Sequence, residues 1–158
     1  MVICLLSSCR INTSIKDNLT LTIDDFTMNQ FSEDGEKLYT IISPKSNLNK
    51  ITFVYELDTV EVIFYEEDKE TYLVTADYAT LDNNLLTLDG NVKIKDIEDL
   101  DSIIRSNNLY WDINKSLITL EGNVVLEDPF INLSSSKAIL NQDSDIIKFF
   151  NPVQYKYK

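Results

Sequence analysis

Side chains able to do chemistry are abundant in this chain in only one kind. Its 158 residues carry 26 Asp and Glu against 14 Lys and Arg, and no histidine at all. The commonest general base and metal ligand is therefore missing. The carboxylates gather at Glu66-Glu67-Asp68 and at Asp96, Glu98, Asp99 and Asp101. Such sets supply the oxygen ligands that calcium takes. The simpler account is solvated loops that keep a strand-rich protein from sticking edge to edge. No carboxylate pair sits in a motif that singles out an acid, a base or a nucleophile. An acidic hydrolase is therefore the weakest reading, and neither an enzyme nor a cofactor nor a bound metal is expected. A net charge of −12 leaves no basic patch for nucleic acid or for an anionic membrane surface.

Both cysteines, Cys4 and Cys9, fall within the first nine residues, which removes zinc clusters and a buried thiol nucleophile. The opening Met1-Val2-Ile3-Cys4-Leu5-Leu6-Ser7-Ser8-Cys9 is apolar and ends in Leu-Ser-Ser-Cys. It resembles a bacterial lipobox, in which small residues precede a cysteine that is cleaved and lipidated. As a secretory signal it lacks a basic n-region and a full apolar run. A shortened membrane-anchor helix and a chance match stay open beside the lipobox. The expected division is a targeting segment over residues 1–9 with Cys9 as lipidation site, a tether over 10–20, and one folded domain over 21–158.

The elements that would position any site are strands. Leu85-Leu86-Thr87-Leu88-Asp89-Gly90-Asn91-Val92 returns 32 positions later as Leu117-Ile118-Thr119-Leu120-Glu121-Gly122-Asn123-Val124, with six of the eight pairs identical. A fixed period means one supersecondary unit used more than once. Within it the apolar Leu86, Leu88, Val92 and Ile94 alternate with polar residues, as in a strand with one face on a core. Gly90 and Gly122 leave two readings. Asp-Gly is a hairpin turn signal, but Glu-Gly in the second copy is not, and turn residues already lie upstream at Asn83-Asn84 and Asn114-Lys115-Ser116. The strand is therefore run through both glycines on its apolar face, where a glycine marks a bend, a bulge or space for a close approach. Partner strands are expected over 74–81 and 107–113, further strands over 50–57 and 60–65, and a degenerate third copy over 138–153. No stretch has a helical period; residues 96–106 read as an acidic loop. Composition suits one all-β domain.

The segment Asp25-Phe26-Thr27-Met28-Asn29-Gln30-Phe31-Ser32-Glu33-Asp34-Gly35, followed by Tyr39-Thr40-Ile41, resembles the opening of the LptC family. Tyr72-Leu73-Val74-Thr75-Ala76-Asp77-Tyr78-Ala79-Thr80-Leu81 and Leu88-Asp89-Gly90-Asn91-Val92 resemble a pattern that LptC shares with its soluble relative LptA. The likeness covers residues 22–157. It implies a periplasmic component of lipopolysaccharide export anchored in the inner membrane. It also implies an open antiparallel β-jellyroll, a V-shaped sandwich of about 12 to 16 short strands, with acyl chains between its sheets. Domains of this kind stack end to end by strand pairing, and an ATP-hydrolysing inner-membrane exporter drives the transport. The lipobox-like ending departs from a full anchor helix, and the near-exact repeat leans toward the LptA side.

On that reading the interior face would carry Leu86, Leu88, Gly90, Val92, Ile118, Leu120, Gly122 and Val124 as lipid-binding residues, the glycines helping to leave room. Ordinary core packing is the competing account of each. The C-terminal strand, with Ile146, Lys148, Phe149, Phe150, Val153 and Tyr155, would offer its edge to an LptA-like jellyroll. The rival function is a self-assembling or polysaccharide-binding β-module. An open apolar cleft separates transport from that rival; a dry, filled interior favours the rival.

Overall fold

A computed structural model describes residues 19–99, 101–142 and 146–151, together with the backbone of 154–156. Cys9, the tether up to residue 18, Pro152 and Val153 lie outside the described residues. The described residues form ten strands: β1 (Thr20–Phe31), β2 (Lys37–Asn49), β3 (Tyr55–Glu66), β4 (Lys69–Asp82), β5 (Leu85–Asp96), β6 (Ile103–Asp112), β7 (Leu117–Glu127), β8 (Asn132–Asn141), β9 (Ile146–Phe150) and β10 (Gln154–Lys156). One 3₁₀ turn, Ile113–Lys115, joins β6 to β7. The fold is all-β as expected, but the ten strands of the described residues are longer than the short ones anticipated, reaching 14 residues in β4. Among the described residues no helix is long and apolar enough to cross a membrane.

All ten strands belong to one antiparallel sheet that follows chain order from β1 to β8, with β9 and β10 both on the far side of β8. Meander connections are the cheapest way to pair neighbours, since each hairpin closes only a short loop. Two expectations are corrected. Residues 103–106, read as part of an acidic loop, open β6 and pair with β5. Residues 50–54 form a turn and not the start of a strand, in spite of Ile51, Thr52 and Phe53. The Asn49 side chain decides it: its Oδ1 accepts the N–H groups of Ile51 at 2.9 Å and Thr52 at 3.1 Å. Phe53 closes the turn with φ +58° and donates its N–H to the Asn49 carbonyl at 2.8 Å. Local side-chain capping outweighs β propensity here.

Strands β5 and β7 do run through their glycines, and each bulges there. Gly90 and Asn91 together oppose the single Asn107, and Gly122 with Asn123 opposes Ser136. Both residues of each pair have positive φ, from +49° to +79°. Two left-handed residues in succession kink a strand without ending it. The kink recurs at the same level in other strands. Asp25 and Thr59 also have positive φ, and each is followed by a buried residue that faces a small one on the next strand. The pairs are Phe26–Ser43, Val60–Ala76, Val92–Ser106 and Val124–Ser135. The two-stranded hairpin is therefore used four times, two of them upstream of the near-identical pair, and Asn151 (φ +67°) in the anticipated degenerate copy continues the line after β9.

These kinks, in β1, β3, β5 and β7, lie on one line that crosses the sheet as a crease. The buried serines stabilise it by donating hydrogen bonds to backbone carbonyls beside the kinks: Ser43 Oγ to Lys45 O at 2.6 Å, Ser106 Oγ to Asn108 O at 3.0 Å, Ser135 Oγ to Lys137 O at 2.8 Å. Satisfied carbonyls allow the crease to be buried. Along it the sheet folds on itself. Tyr39 on β2 and Trp111 on β6 lie four strands apart in the sheet, about 19 Å if it were flat. Their rings meet edge to face with centroids 4.9 Å apart. Half of each strand thus belongs to one wall and half to the other, and the apolar faces meet inside the V.

Candidate functional site

Near the crease the two walls close on each other. Leu86, Leu88, Val92, Leu120 and Val124 are all but sealed from solvent, in one cluster with Leu57, Val62, Leu109 and Ala138. Between Val62, Phe64, Val74, Leu86, Leu88, Leu109, Trp111 and Ile118 remains a gap of about 10 Å³, too small for more than a single water. Gly90 and Gly122 do not open space on this face. A Cβ on Gly90 would stand 2.7 Å from Asp77 Oδ2, and one on Gly122 would stand 2.8 Å from Asn107 Nδ2. The glycines admit polar side chains of the neighbouring strand, and Asn91 Nδ2 donates to the same Asp77 carboxylate at 2.8 Å.

Farther from the crease the walls part and leave a cleft of about 360 Å³, within the range of ligand-binding pockets. One wall contributes Tyr39, Phe64, Tyr72, Val74, Ile94 and Ile104. The facing wall contributes Trp111, Ile113, Ile118, Leu140 and Ile147. Leu38, Tyr65, Glu66, Thr71, Ser116 and Gln142 complete the lining. Phe64, Val74, Trp111 and Ile118 border both the cleft and the sealed gap beneath it, so they form its floor.

That floor is stiff for physical reasons. Trp111 stacks against Tyr39 and Phe64, each with centroids 4.9 Å from it, in the tilted and edge-on arrangements that ring quadrupoles favour. Its indole N–H donates to Gln142 Oε1 at 3.0 Å, which settles the one polar atom of an otherwise apolar contact. Burial pushes the Tyr39 phenol above its ordinary pKa, so it stays neutral and adds no charge to the site. Nothing in the cleft resembles a nucleophile with its base. What the arrangement can do is hold hydrocarbon between aromatic and branched walls that are open on one side.

Of the anticipated interior residues, Ile118 lines the cleft, Leu86 and Leu88 lie beneath its floor, and Val92, Leu120 and Val124 belong to the packed layer at the crease. Sequence reasoning missed Tyr39, Phe64, Trp111, Leu140 and Ile147. A signal existed: each is an apolar position near the end of a strand far from the crease, outside the near-identical blocks. The expected edge strand is present as β9, with Ile146, Ile147 and Phe150 exposed, Lys148 pointing outward and Phe149 half-buried against the core. Tyr155 lies in β10, opposite Leu133. The acidic clusters form turns, as where Asp96 Oδ1 accepts the N–H groups of Glu98 and Asp99 at 2.8 and 3.0 Å.

The sequence matches, over residues 7–158, the model of a family described as lipopolysaccharide-assembly, LptC-related. No curated protein matches it. Among solved structures it is similar to LptH of Pseudomonas aeruginosa, described as the LptA-homologous periplasmic component of the conserved lipopolysaccharide transport device. The superposition has a TM-score of 0.59 at 11% identity, covering 76% of this chain and 94% of that one.

Proposed function

The chain belongs to the LptC family, and from that premise we propose that it relays lipopolysaccharide across the periplasm by holding acyl chains in the cleft between its walls. The observation that carries this reading is the cleft itself: open at its rim, apolar on both sides, floored by Phe64, Val74, Trp111 and Ile118. A self-assembling β-module has no use for such a void, because unfilled apolar surface forfeits packing energy. A relay needs it, and needs it shallow. Shallow burial gives modest affinity, and modest affinity gives the fast release that hand-over requires. Head groups stay outside the apolar cleft, which also suits a carrier of net charge −12.

In the same proposal the domain sits on the periplasmic side of the inner membrane and takes its cargo from the ATP-hydrolysing exporter. It passes the cargo to an LptA-like jellyroll added to the free edge formed by β9 and β10. A strand edge is a ready template for such addition. Lipid on Cys9 would tether the chain, and Cys9→Ala should then move it to the soluble periplasmic fraction; continued membrane association would argue for a different anchor. The cargo itself is tested through Trp111, the only tryptophan. Titrating the protein with lipopolysaccharide should shift and saturate Trp111 emission. An emission spectrum unmoved by lipopolysaccharide would refute the acyl-chain cleft.

A further inference from the structure

Lys37 opens β2 beside Leu38 and Tyr39, two residues of the cleft wall. Its ammonium lies 4.4 Å from the centre of the Tyr65 ring and 3.3 Å from the Tyr65 hydroxyl oxygen. Tyr65 itself lines the cleft, so the ring draws the charge to the rim. The Tyr65 hydroxyl points its proton toward Glu70 Oε1, 3.5 Å away, which leaves the oxygen lone pair to accept from Lys37. Three other cations are held by carboxylates: Lys115 by Asp112 at 2.6 Å, Lys137 by Glu121 at 2.8 Å, and Arg105 by Glu127. Among the described residues no carboxylate stands within ion-pair distance of Lys37.

What matters for Lys37 is its place, with its ammonium seated on a residue of the cleft lining and no carboxylate beside it. Placed at the lip of an apolar cleft, it matches the two ends of an anionic amphiphile. Resting on the acyl-chain reading above, we propose that Lys37, seated on Tyr65, binds the oxyanion head of an amphiphile whose tail occupies the cleft. The direction of the tail follows. The head lies at the β2–β3 rim beside Lys37, and the hydrocarbon runs inward over Phe64 until Trp111 and Ile118 stop it. The aromatic seat orients the ammonium before the ligand arrives, and its partial exposure keeps the contact weak and exchangeable.

Trp111 emission supplies the readout, with two surfactants of equal tail below micelle-forming concentration: dodecyl phosphate and the neutral dodecyl maltoside. Lys37→Gln should raise the Kd for dodecyl phosphate by about fivefold, as expected for a partly exposed ionic contact, and leave that for dodecyl maltoside unchanged. Lys37→Arg, which keeps the charge and stacks on Tyr65, should restore wild-type affinity. The melting temperature of each variant shows that the rim is intact. Equal weakening for both heads would make Lys37 a prop of the rim and overturn the proposal, as would an unchanged Kd for dodecyl phosphate. If neither surfactant moves Trp111 emission in the wild-type protein, the acyl-chain cleft itself fails.

Discussion

Replacing Gly122 by alanine tests the crease. Gly122 has φ +75°, a conformation that costs an L-residue about 1–2 kcal/mol. The new methyl would also lie 2.8 Å from Asn107 Nδ2 and 3.0 Å from Asn107 Cβ. The amide nitrogen is the far end of a side chain and can swing away. The Asn107 Cβ cannot, because β6 is paired on both sides, with β5 and β7. Overpacking of this kind adds about 1–2 kcal/mol, so Gly122→Ala should destabilise by about 2–4 kcal/mol. For a domain of this size that lowers the melting midpoint by about 5–15 °C, readable by circular dichroism. The two causes separate in a double-mutant cycle. Asn107→Gly should relieve the crowding but not the backbone strain, giving a coupling of about 1–2 kcal/mol. A loss below about 0.5 kcal/mol, or independence from Asn107, would refute the crease as described. Gly90 against Asp77 should behave alike.

Two further predictions concern pH and the docking edge. The Asp128 carboxyl lies below its ordinary pKa because it accepts the Phe130 N–H and the Ser102 hydroxyl, and Asp112 is lowered first by its bond to Lys115. A depressed carboxyl pKa stabilises the folded state above the unfolded value and loses that stabilisation as pH falls through the folded one. Thermal melts should therefore drop as pH falls below about 4, less steeply in Asp128→Asn; an identical acid limb would contradict the assignment. On β9, successive N–H groups point alternately to β8 and outward. Of Lys148→Pro and Ile147→Pro, one should unpair β8 and lower stability, while the other should leave β8 paired and abolish strand addition by an LptA-like partner. If both proteins remain stable and still dock, β9 is not the docking edge.

The strands and their apolar faces were legible in the sequence because alternation and the Thr-Leu-x-Gly-Asn-Val repeat are local signals. Continuity through Gly90 and Gly122 was legible too, since Glu121 makes a poor turn residue. The function of the glycines was not: that Gly90 packs on Asp77 depends on the register of β4 against β5. The upstream copies of the hairpin escaped notice because Asp25 and Thr59 share backbone conformation with Asn91 but not residue type, and Asp24 and Asp58 stand where the later copies have glycine. Residues 50–54 misled because Ile51 and Phe53 carry strand propensity while one side chain, Asn49, sets the turn. The cleft was the least legible feature. Tyr39, Phe64 and Trp111 are far apart in sequence and meet only after the sheet folds along its crease.

The central claim, that the cleft between the walls carries acyl chains, is tested most directly by two adjacent residues of β7. Ile118 faces the cleft and Thr119 points to the other side of the sheet. With a photo-crosslinking residue at each position in cells whose exporter is running, Ile118 should capture lipopolysaccharide and Thr119 far less. Equal capture at both positions, or none at Ile118, would contradict the account.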